Sequence, residues 1–328
     1  MTAPAPGTEI AALRRAASQA VRAPSVHNTQ PWRLESHPGR LDIYADYSRR
    51  LAVLDPSARQ LVISCGCAVM NARVSLASSG FGVEVVRTAS LARTDLMASL
   101  RLTGSTSDAD LGALDPMVEA RITNRRRFDS GQITRDALRA MTRAARVEHA
   151  SLVVVRDRPH RQTVVALSQH ADYIESHNVA YRTELDAWTT DDGNRTDGVP
   201  GWAVPRSDDA TPEQVPIRDF DTHGNATLPP PSSSSDDCTL ALLCTDLDSP
   251  DHWLRAGEAL ERVLLEITRG GYVASPHTQV IEVPVARAQL RRDLGLTGYP
   301  HVLLRIGRAP ATPPVPRRPL DEVLSEFQ

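Results

Sequence analysis

Two stretches of this chain repeat one order of elements, and this repeat limits the folds open to it. Residues 41 to 83 run from the strand-like LDIYAD through an acidic loop and a long helix to Gly-Phe-Gly. Residues 239 to 274 repeat the order of strand, acidic loop and long helix, and reach Gly-Gly-Tyr. Two copies at so wide a spacing do not form a solenoid, which stacks many short repeats. The repeat therefore predicts two related halves, such as a dimer fused into one chain.

Local signals place the first long helices. Residues 8 to 22 carry apolar side chains on one stripe, with Thr8 as N-cap and Pro24 just past the end. Asp55 followed by Pro56 predicts the start of a second, longer helix, which Gly80 ends. Small side chains recur along that second helix, so we expect another helix to pack closely against it.

Composition narrows the class of protein. With 328 residues and 41% hydrophobic content, the chain can bury a large core, in one large domain or two packed halves. A net charge of −3 gives no indication of a nucleic-acid or anionic-membrane partner. No run of 18 apolar residues occurs and the start lacks the pattern of a signal peptide, so we expect a cytoplasmic protein with no membrane partner.

The ionisable residue types add two constraints. No cluster of His and Cys completes four ligands around Cys65, Cys67, Cys238 and Cys244, so we expect buried reduced thiols rather than a metal site or a disulfide framework. All 37 basic residues are arginine, which codon bias explains best. Every cationic contact is therefore made by a planar guanidinium, a group suited to phosphate or carboxylate.

Two short motifs are candidates for a site. In APSVHNTQPW, residues 23 to 32, Pro24 ends a helix ahead of a line of polar side chains, which makes the stretch either a turn or a site. In RITNR, Arg121, Thr123 and Arg125 alternate two guanidinium groups with a hydroxyl, as a phosphate monoester requires. The alternative for this charge run is a solvated helix face.

A long segment at 190 to 235 shows no sustained period and is rich in Gly, Pro, Asp and Ser. Such segments are functional lids or disordered linkers, and the aromatic Trp202 and Phe220 favour a lid that docks. The chain lacks a dinucleotide fingerprint, a P-loop, GxSxG and HExxH. For His27 and His277 we favour a structural hydrogen bond over an acid–base role.

Together these motifs resemble the nitroreductases, and within them the Acg-like family of FMN-binding proteins. APSVHNTQPW resembles the flavin-contacting loop, and RITNR resembles the Arg-x-Ser-x-Arg phosphate motif. Their order is inverted relative to an ordinary nitroreductase, so that one fused chain would make one complete flavin site. The resemblance extends nearly end to end, through LDPSARQLVISCG, ELDAWTTDDGNRTDGVP, DHWLRAGEALERVLL, SPHTQ and VPRRPLDEVL.

The resemblance implies an α+β fold of two nitroreductase-like halves, each a mainly antiparallel sheet with packed helices, fused into an intramolecular pseudo-dimer. The halves would be residues 1 to 115, with the flavin-ring loop, and 116 to 328, with the phosphate-binding arginines and a lid insertion at about 190 to 235. One FMN would lie across the halves of a monomeric chain.

Roles for single residues follow from the same resemblance. The isoalloxazine ring would contact Pro24, Ser25, Val26 and Asn28. The phosphate would contact Arg121, Thr123, Arg125, Arg317 and Arg318. Backbone near flavin N5 and O4 would come from SPHTQ, including Ser275, His277 and Thr278, where the Glu-Gly of ordinary nitroreductases is absent.

The implied activity is an NAD(P)H-dependent reduction of nitroaromatics, quinones or similar small acceptors. No protein nucleophile is required for this chemistry, and the sequence assigns no catalytic residue. The alternative is a catalytically weak protein that sequesters or stores FMN beneath a closed lid.

Overall fold

The computed structural model describes residues 6–89, 95–126, 128–129, 131–190, 192–204, 215–216, 218–220, 222 and 238–327. Helices in this part of the chain are α1 (Pro6–Ala20), α2 (Arg59–Ser78), α3 (Ala109–Gly112), α4 (Asp115–Ala120), α5 (Arg135–Val147), α6 (Arg158–Ser176), α7 (Val179–Ala187), α8 (Pro250–Arg269), α9 (Gln279–Glu282), α10 (Pro284–Asp293) and α11 (Leu320–Val323). Strands are β1 (Trp32–His37), β2 (Arg40–Ala45), β3 (Gly82–Arg87), β4 (Leu96–Thr103), β5 (Ser151–Val155), β6 (Thr189–Thr190), β7 (Val199–Pro200), β8 (Thr239–Thr245), β9 (Val273–His277), β10 (Tyr299–Gly307) and β11 (Leu324–Glu326).

Two sheets and the helices packed on them make an α+β fold, as expected. One sheet has the order β11-β1-β2-β4-β3, and the other has the order β5-β8-β10-β9. The neighbours within each sheet are antiparallel, except that β11 runs parallel to β1. The chain order α1-β1-β2-α2-β3-β4 returns as α5-β5-β8-α8-β9-β10, so corresponding strands hold corresponding places in the two sheets.

The first sheet begins with a hairpin that the sequence predicted only in part. A strand was expected around residues 40 to 46, and β2 confirms it, but β1 precedes it and pairs Trp32 with Ala45. Gly39 makes the turn at φ 69°, in the left-handed region that suits glycine. Because Trp32 is fully buried, this strand anchors the end of the 23–32 loop in the core.

The two central helices, α2 and α8, cross at a pair of glycines. Gly66 lies against Gly257, and a Cβ at Gly66 would stand 2.9 Å from the Gly257 Cα and would collide with the carbonyl oxygen of Leu254. A Cβ at Gly257 would collide with the carbonyl oxygen of Ile63. The small residues predicted to permit close packing do so here, backbone against backbone.

The start of α2 differs from the prediction. Residues 55 to 58 form a turn, with Ala58 left-handed at φ 60°, and the helix begins at Arg59 rather than at Pro56. Asp55 still caps the helix, because its carboxylate accepts a hydrogen bond from the amide of Leu61 at 2.9 Å. Asp55 is therefore a cap, as predicted, but the helix starts further along the chain than predicted.

The helix α2 is long and apolar enough to cross a membrane, but 89% of its most apolar window is buried inside the protein, as in a core helix. The thiols of Cys65, Cys67, Cys238 and Cys244 are reduced and buried, as predicted. Within the described ranges, no group of His, Cys, Asp and Glu could hold a metal ion.

Candidate functional site

The loop at residues 23 to 32 leaves α1 and enters β1 through three left-handed residues. His27, Asn28 and Gln30 have φ angles of 48°, 55° and 49°. This conformation costs a residue other than glycine about 1–2 kcal/mol, so surrounding contacts must offset it. Strain of this kind concentrates where a chain must present particular groups.

Hydrogen bonds from Gln30 hold the loop in this shape. The Gln30 side chain donates from Nε2 to the carbonyl oxygen of Thr196 at 2.9 Å, and its Oε1 accepts from the backbone amide of Arg318 at 2.8 Å. The Gln30 backbone amide donates to Ser25 Oγ at 2.9 Å. Gln30 therefore fixes the loop against two segments that are distant in the sequence.

The RITNR segment lies beside the edge strand β9. Thr123 forms an isolated parallel bridge with Ala274, and the backbone amide of Asn124 donates to the Ala274 carbonyl at 3.0 Å. The Asn124 side chain donates to the Pro310 carbonyl at 2.8 Å. These bonds bring the predicted phosphate motif next to SPHTQ, which begins as the last residues of β9 and continues into α9.

The two arginines of RITNR have different environments. Arg121 is buried, forms an ion pair with Glu261 at 3.0 Å and donates to the carbonyl of Arg22. Arg125 has no ion pair or hydrogen bond to any residue that the structure describes, and its guanidinium lies 5.1 Å from the centre of the Phe220 ring. Burial, and then repulsion from Arg218, lower the pKa of Arg125 to about 10. Arg125 therefore holds an uncompensated positive charge.

Arg317 carries a second such charge. Among the described residues, its hydrogen bonds go to the backbone carbonyls of Val315 and Pro316, and its buried Nε has no partner there. Burial, and then repulsion from Arg121, lower the pKa of Arg317 to about 9. An anion placed between Arg125 and Arg317 would satisfy both groups.

Two adjoining chambers bring the predicted residues together. The first, of about 110 Å³, is lined by the 24–27 loop, by 275–279, and by apolar side chains of α2 and α8 such as Ile63 and Leu260. The second, of about 80 Å³, is lined by Arg22, Arg121 and Arg317 and by Pro314 and Val315. Both chambers share Pro24, Ser25, Thr123 and Arg125, which makes them two ends of one cavity.

The predicted site residues divide between these chambers. The first chamber contains Pro24, Ser25, Val26, Thr123, Arg125, Ser275, His277 and Thr278. The second contains Pro24, Ser25, Asn28, Arg121, Thr123, Arg125 and Arg317. A flat group in the first and an anion in the second could therefore belong to one ligand.

Two predicted residues have other surroundings than expected. Asn28 lines only the second chamber, and its amide nitrogen donates to the carbonyls of Gly198, at 2.9 Å, and Pro316, at 3.2 Å. Arg318 lines neither chamber, and its guanidinium lies 3.6 Å from the Glu322 carboxylate. A direct contact of Asn28 with a ring, and of Arg318 with a phosphate, stay predictions.

A buried charged group that the sequence did not reveal covers the first chamber. Arg218 pairs with Glu282 and contacts the Nε2 of His27. The ring of Phe220 packs edge-on against His27, with centroids 5.2 Å apart. Burial, and then Arg218, lower the pKa of His27 far below its usual value, so the imidazole is neutral. Burial likewise lowers the pKa of His277 to about 3.

Arg218 and Phe220 come from the segment predicted as a lid at 190 to 235. Much of that segment, including 205–214 and 223–237, lies outside the described residues. Within its described part, Phe220 is buried against the cavity, whereas Trp202 is 39% exposed. Of the two aromatic residues that suggested docking, Phe220 lines the first chamber.

Comparison with known proteins identified relatives over nearly the whole chain, although no family model matches. The Mycobacterium tuberculosis H37Rv protein named "Putative NAD(P)H nitroreductase Rv3131" is 32% identical over 322 residues, covering 95% of this chain and 90% of the relative. The "Uncharacterized protein Rv3127" of the same strain is 30% identical, covering 95% and 92%. The "Putative NAD(P)H nitroreductase acg" is 28% identical, covering 95% and 94%.

Solved structures give more distant likenesses. The FMN- and NADPH-dependent nitroreductase NfnB from Sphingopyxis sp. strain HMH aligns with a TM-score of 0.42 at 18% identity, covering 66% of this chain and 98% of that one. A nitroreductase with bound FMN from Desulfitobacterium hafniense aligns with a TM-score of 0.40 at 12% identity, covering 66% and 98%.

Proposed function

Because this chain belongs to the nitroreductase family, among the relatives that include Acg, we propose that it binds one FMN per chain in the two-chamber cavity. The observation that carries the proposal is the pair of uncompensated guanidinium groups, Arg125 and Arg317, at one end of a cavity whose other end is walled by the 24–27 loop and β9.

The second chamber fits a phosphate monoester. Arg125 and Arg317 would donate charge-assisted hydrogen bonds, and the Thr123 hydroxyl would add a neutral one. The ion pair with Glu261 already compensates the charge of Arg121. Arg121 would therefore help to shape the site but would add little net positive charge to it. In this proposal the phosphate-binding residues are Arg121, Thr123 and Arg125, together with Arg317 from the C-terminal tail.

The first chamber fits a flat aromatic ring with polar edges. Ile63, Leu260 and Val302 supply apolar wall, and the loop from Pro24 supplies the opposite side. Both chambers are small beside the roughly 300–1,000 Å³ of usual small-molecule sites, so a bound flavin requires the segment of Arg218 and Phe220 to move outward. This movement is the lid opening that we propose.

Bound FMN would supply hydride and electron transfer, and the chain would supply binding, orientation and exclusion of water. Burial keeps His27 and His277 neutral, so neither adds a charge to the wall of the ring chamber. We propose an NAD(P)H-dependent oxidoreductase for small acceptors such as nitroaromatics or quinones. It would work as a cytoplasmic monomer in which residues 1 to 115 and 116 to 328 form a fused pseudo-dimer.

The second candidate function, storage of FMN under a closed lid, rests on one observation. Phe220 and Arg218 lie across the ring chamber, and Arg218 is tied to Glu282 and His27. A ligand beneath them would have little open face for a nicotinamide. Enzyme and store therefore differ in how readily this segment opens.

Anaerobic mixing of the FMN-loaded protein with NADPH or NADH separates these two functions. Bleaching of the flavin followed by reoxidation with a nitroaromatic selects the oxidoreductase, and a lasting oxidised spectrum selects the store.

Replacing Phe220 by alanine should speed bleaching by about tenfold or more. Burying a phenylalanine contributes about 1.5–3 kcal/mol to the closed state, and each 1.4 kcal/mol is a factor of ten. Trp202→Ala is the matched control, since Trp202 lies in the same segment and lines neither chamber. Equal rates in wild type and both variants would contradict the lid assignment.

A further inference from the structure

The second sheet has an open edge. Strand β5 pairs with β8 on one side, and no strand among the described residues pairs with its other side. An edge strand presents a row of backbone N–H and C=O groups that another strand can use. Most proteins cover or blunt such an edge, so its surroundings indicate what it is for.

The corresponding edge in the first sheet is filled. There β11 lies parallel to β1, with Leu34 opposite Leu324. The added strand belongs to an acidic segment, LDEVLSEF at 320 to 327. Arg14 of the adjacent helix α1 holds it by ion pairs to Glu326 at 2.6 Å and to Asp321 at 3.2 Å. An acidic strand held by a helix arginine is thus the occupant at the equivalent place.

At the β5 edge no described strand takes the corresponding place, and the arginines are more numerous. A groove of about 900 Å³ lies there between α5 and α6, and a second of about 490 Å³ adjoins it. The α5 side carries Arg135, Arg139, Arg143 and Arg146, and the other side carries Arg156, Arg158 and Arg161.

Few described carboxylates neutralise this group of seven arginines, here called the basic groove. Asp136 pairs with Arg139 at 3.2 Å, with both side chains largely exposed, and Asp157 caps α6 and contacts His160. Neither carboxylate lines the groove. In a chain of net charge −3, this face is a local concentration of positive charge.

We infer that the basic groove binds an extended acidic peptide, which adds to the open edge of β5 as a fifth strand. The peptide backbone would bond to β5, and its side chains, alternating every residue, would point toward the arginines of α5 and of α6. Leu138, Val154 and Val165 give the groove an apolar wall for the aliphatic side chains of such a peptide.

The open backbone edge favours a peptide over a nucleic acid. Arginines alone would suit either polyanion, but only a peptide can continue the ladder of N–H and C=O groups of β5. The occupied β1 edge supplies the precedent within the same chain, with an acidic strand in parallel orientation.

Fluorescence anisotropy with a labelled peptide of the sequence LDEVLSEF, added to the full chain, tests this inference. We expect saturable binding that weakens at least tenfold in the variant with Arg139→Glu and Arg143→Glu, since two attractive charges become repulsive. The matched control exchanges two exposed arginines elsewhere, Arg182→Glu and Arg292→Glu, with the same change in net charge, and should bind like wild type.

Two further probes decide how the peptide binds. A peptide with prolines in place of its two central residues, LDEPPSEF, should bind at least tenfold more weakly, because adjacent N–H groups of a strand point to opposite sides and one of the two lost donors must face β5. Equal binding of both peptides, or weakening by Arg14→Glu in place of the α5 variant, would overturn the inference. If a labelled oligothymidine bound more tightly than the peptide, the inference would also be overturned, and the groove would be assigned to nucleic acid.

Discussion

Replacing Arg125 and Arg317 together by alanine should weaken FMN binding by at least a hundredfold. Each is expected to make a charge-assisted hydrogen bond to the phosphate, worth about 1.5–3 kcal/mol, so the pair contributes about 3–6 kcal/mol. At 1.4 kcal/mol per factor of ten, this range corresponds to roughly a hundred- to ten-thousandfold. Titration of FMN fluorescence against wild type and variant measures it.

The design of this experiment separates lost contacts from lost structure. The lowered pKa values of Arg125 and Arg317 show that the folded chain holds their charges at a cost. Without FMN, the double variant should therefore unfold at the same temperature as wild type or higher. Arg139 lies on the exposed face of α5 and lines neither chamber, so the control variant Arg139→Ala should keep FMN affinity within about threefold. Unchanged affinity in the double variant would mean that the phosphate lies elsewhere.

Replacing Gly66 by alanine should destabilise the protein by about 3 kcal/mol or prevent its folding. The added methyl group would meet backbone atoms of Leu254 and Gly257, which cannot rotate away as a side chain could, so α2 and α8 must separate. Overpacking of a core costs about 1–3 kcal/mol and more where backbone must shift. Urea unfolding followed by circular dichroism provides the measurement.

Gly104→Ala is the matched control for this substitution. A Cβ at Gly104 meets no atom within 4 Å, and Gly104 does not have a left-handed φ angle. Its free energy of unfolding should change by about 1 kcal/mol or less. If Gly66→Ala behaved like Gly104→Ala, the helix crossing would not be a close backbone contact.

The parts of the site that the sequence predicted share one property, which is that each is a short continuous motif. The 23–32 loop and RITNR each carry their polar groups within ten residues, and the structure brings both to one cavity. The repeated order of strand and helix was predictable for the same reason, since each of the two stretches shows its own local pattern. The α+β class followed from the resemblance to nitroreductases.

What the sequence did not reveal depends on contacts between distant segments. His27 and Arg218 are 191 positions apart, and Arg218 stands in a segment whose composition suggests only a loop. The hydrogen bonds of Gln30 to Thr196 and Arg318, and the pairing of β11 with β1, likewise join segments that are far apart in the sequence and that no local pattern relates. The pairing of Arg121 with Glu261 could not be read from RITNR, because the carboxylate lies on α8.

The central claim, a flavin whose phosphate is held by Arg125 and Arg317, is tested most directly by comparing FMN with riboflavin on the wild-type chain. Riboflavin keeps the ring and lacks the phosphate, so one calorimetric titration with each ligand isolates that end of the site. We expect one FMN per chain and riboflavin binding at least a hundredfold weaker, in line with two charge-assisted hydrogen bonds. Equal affinity for the two ligands, or no binding of FMN, would contradict this account.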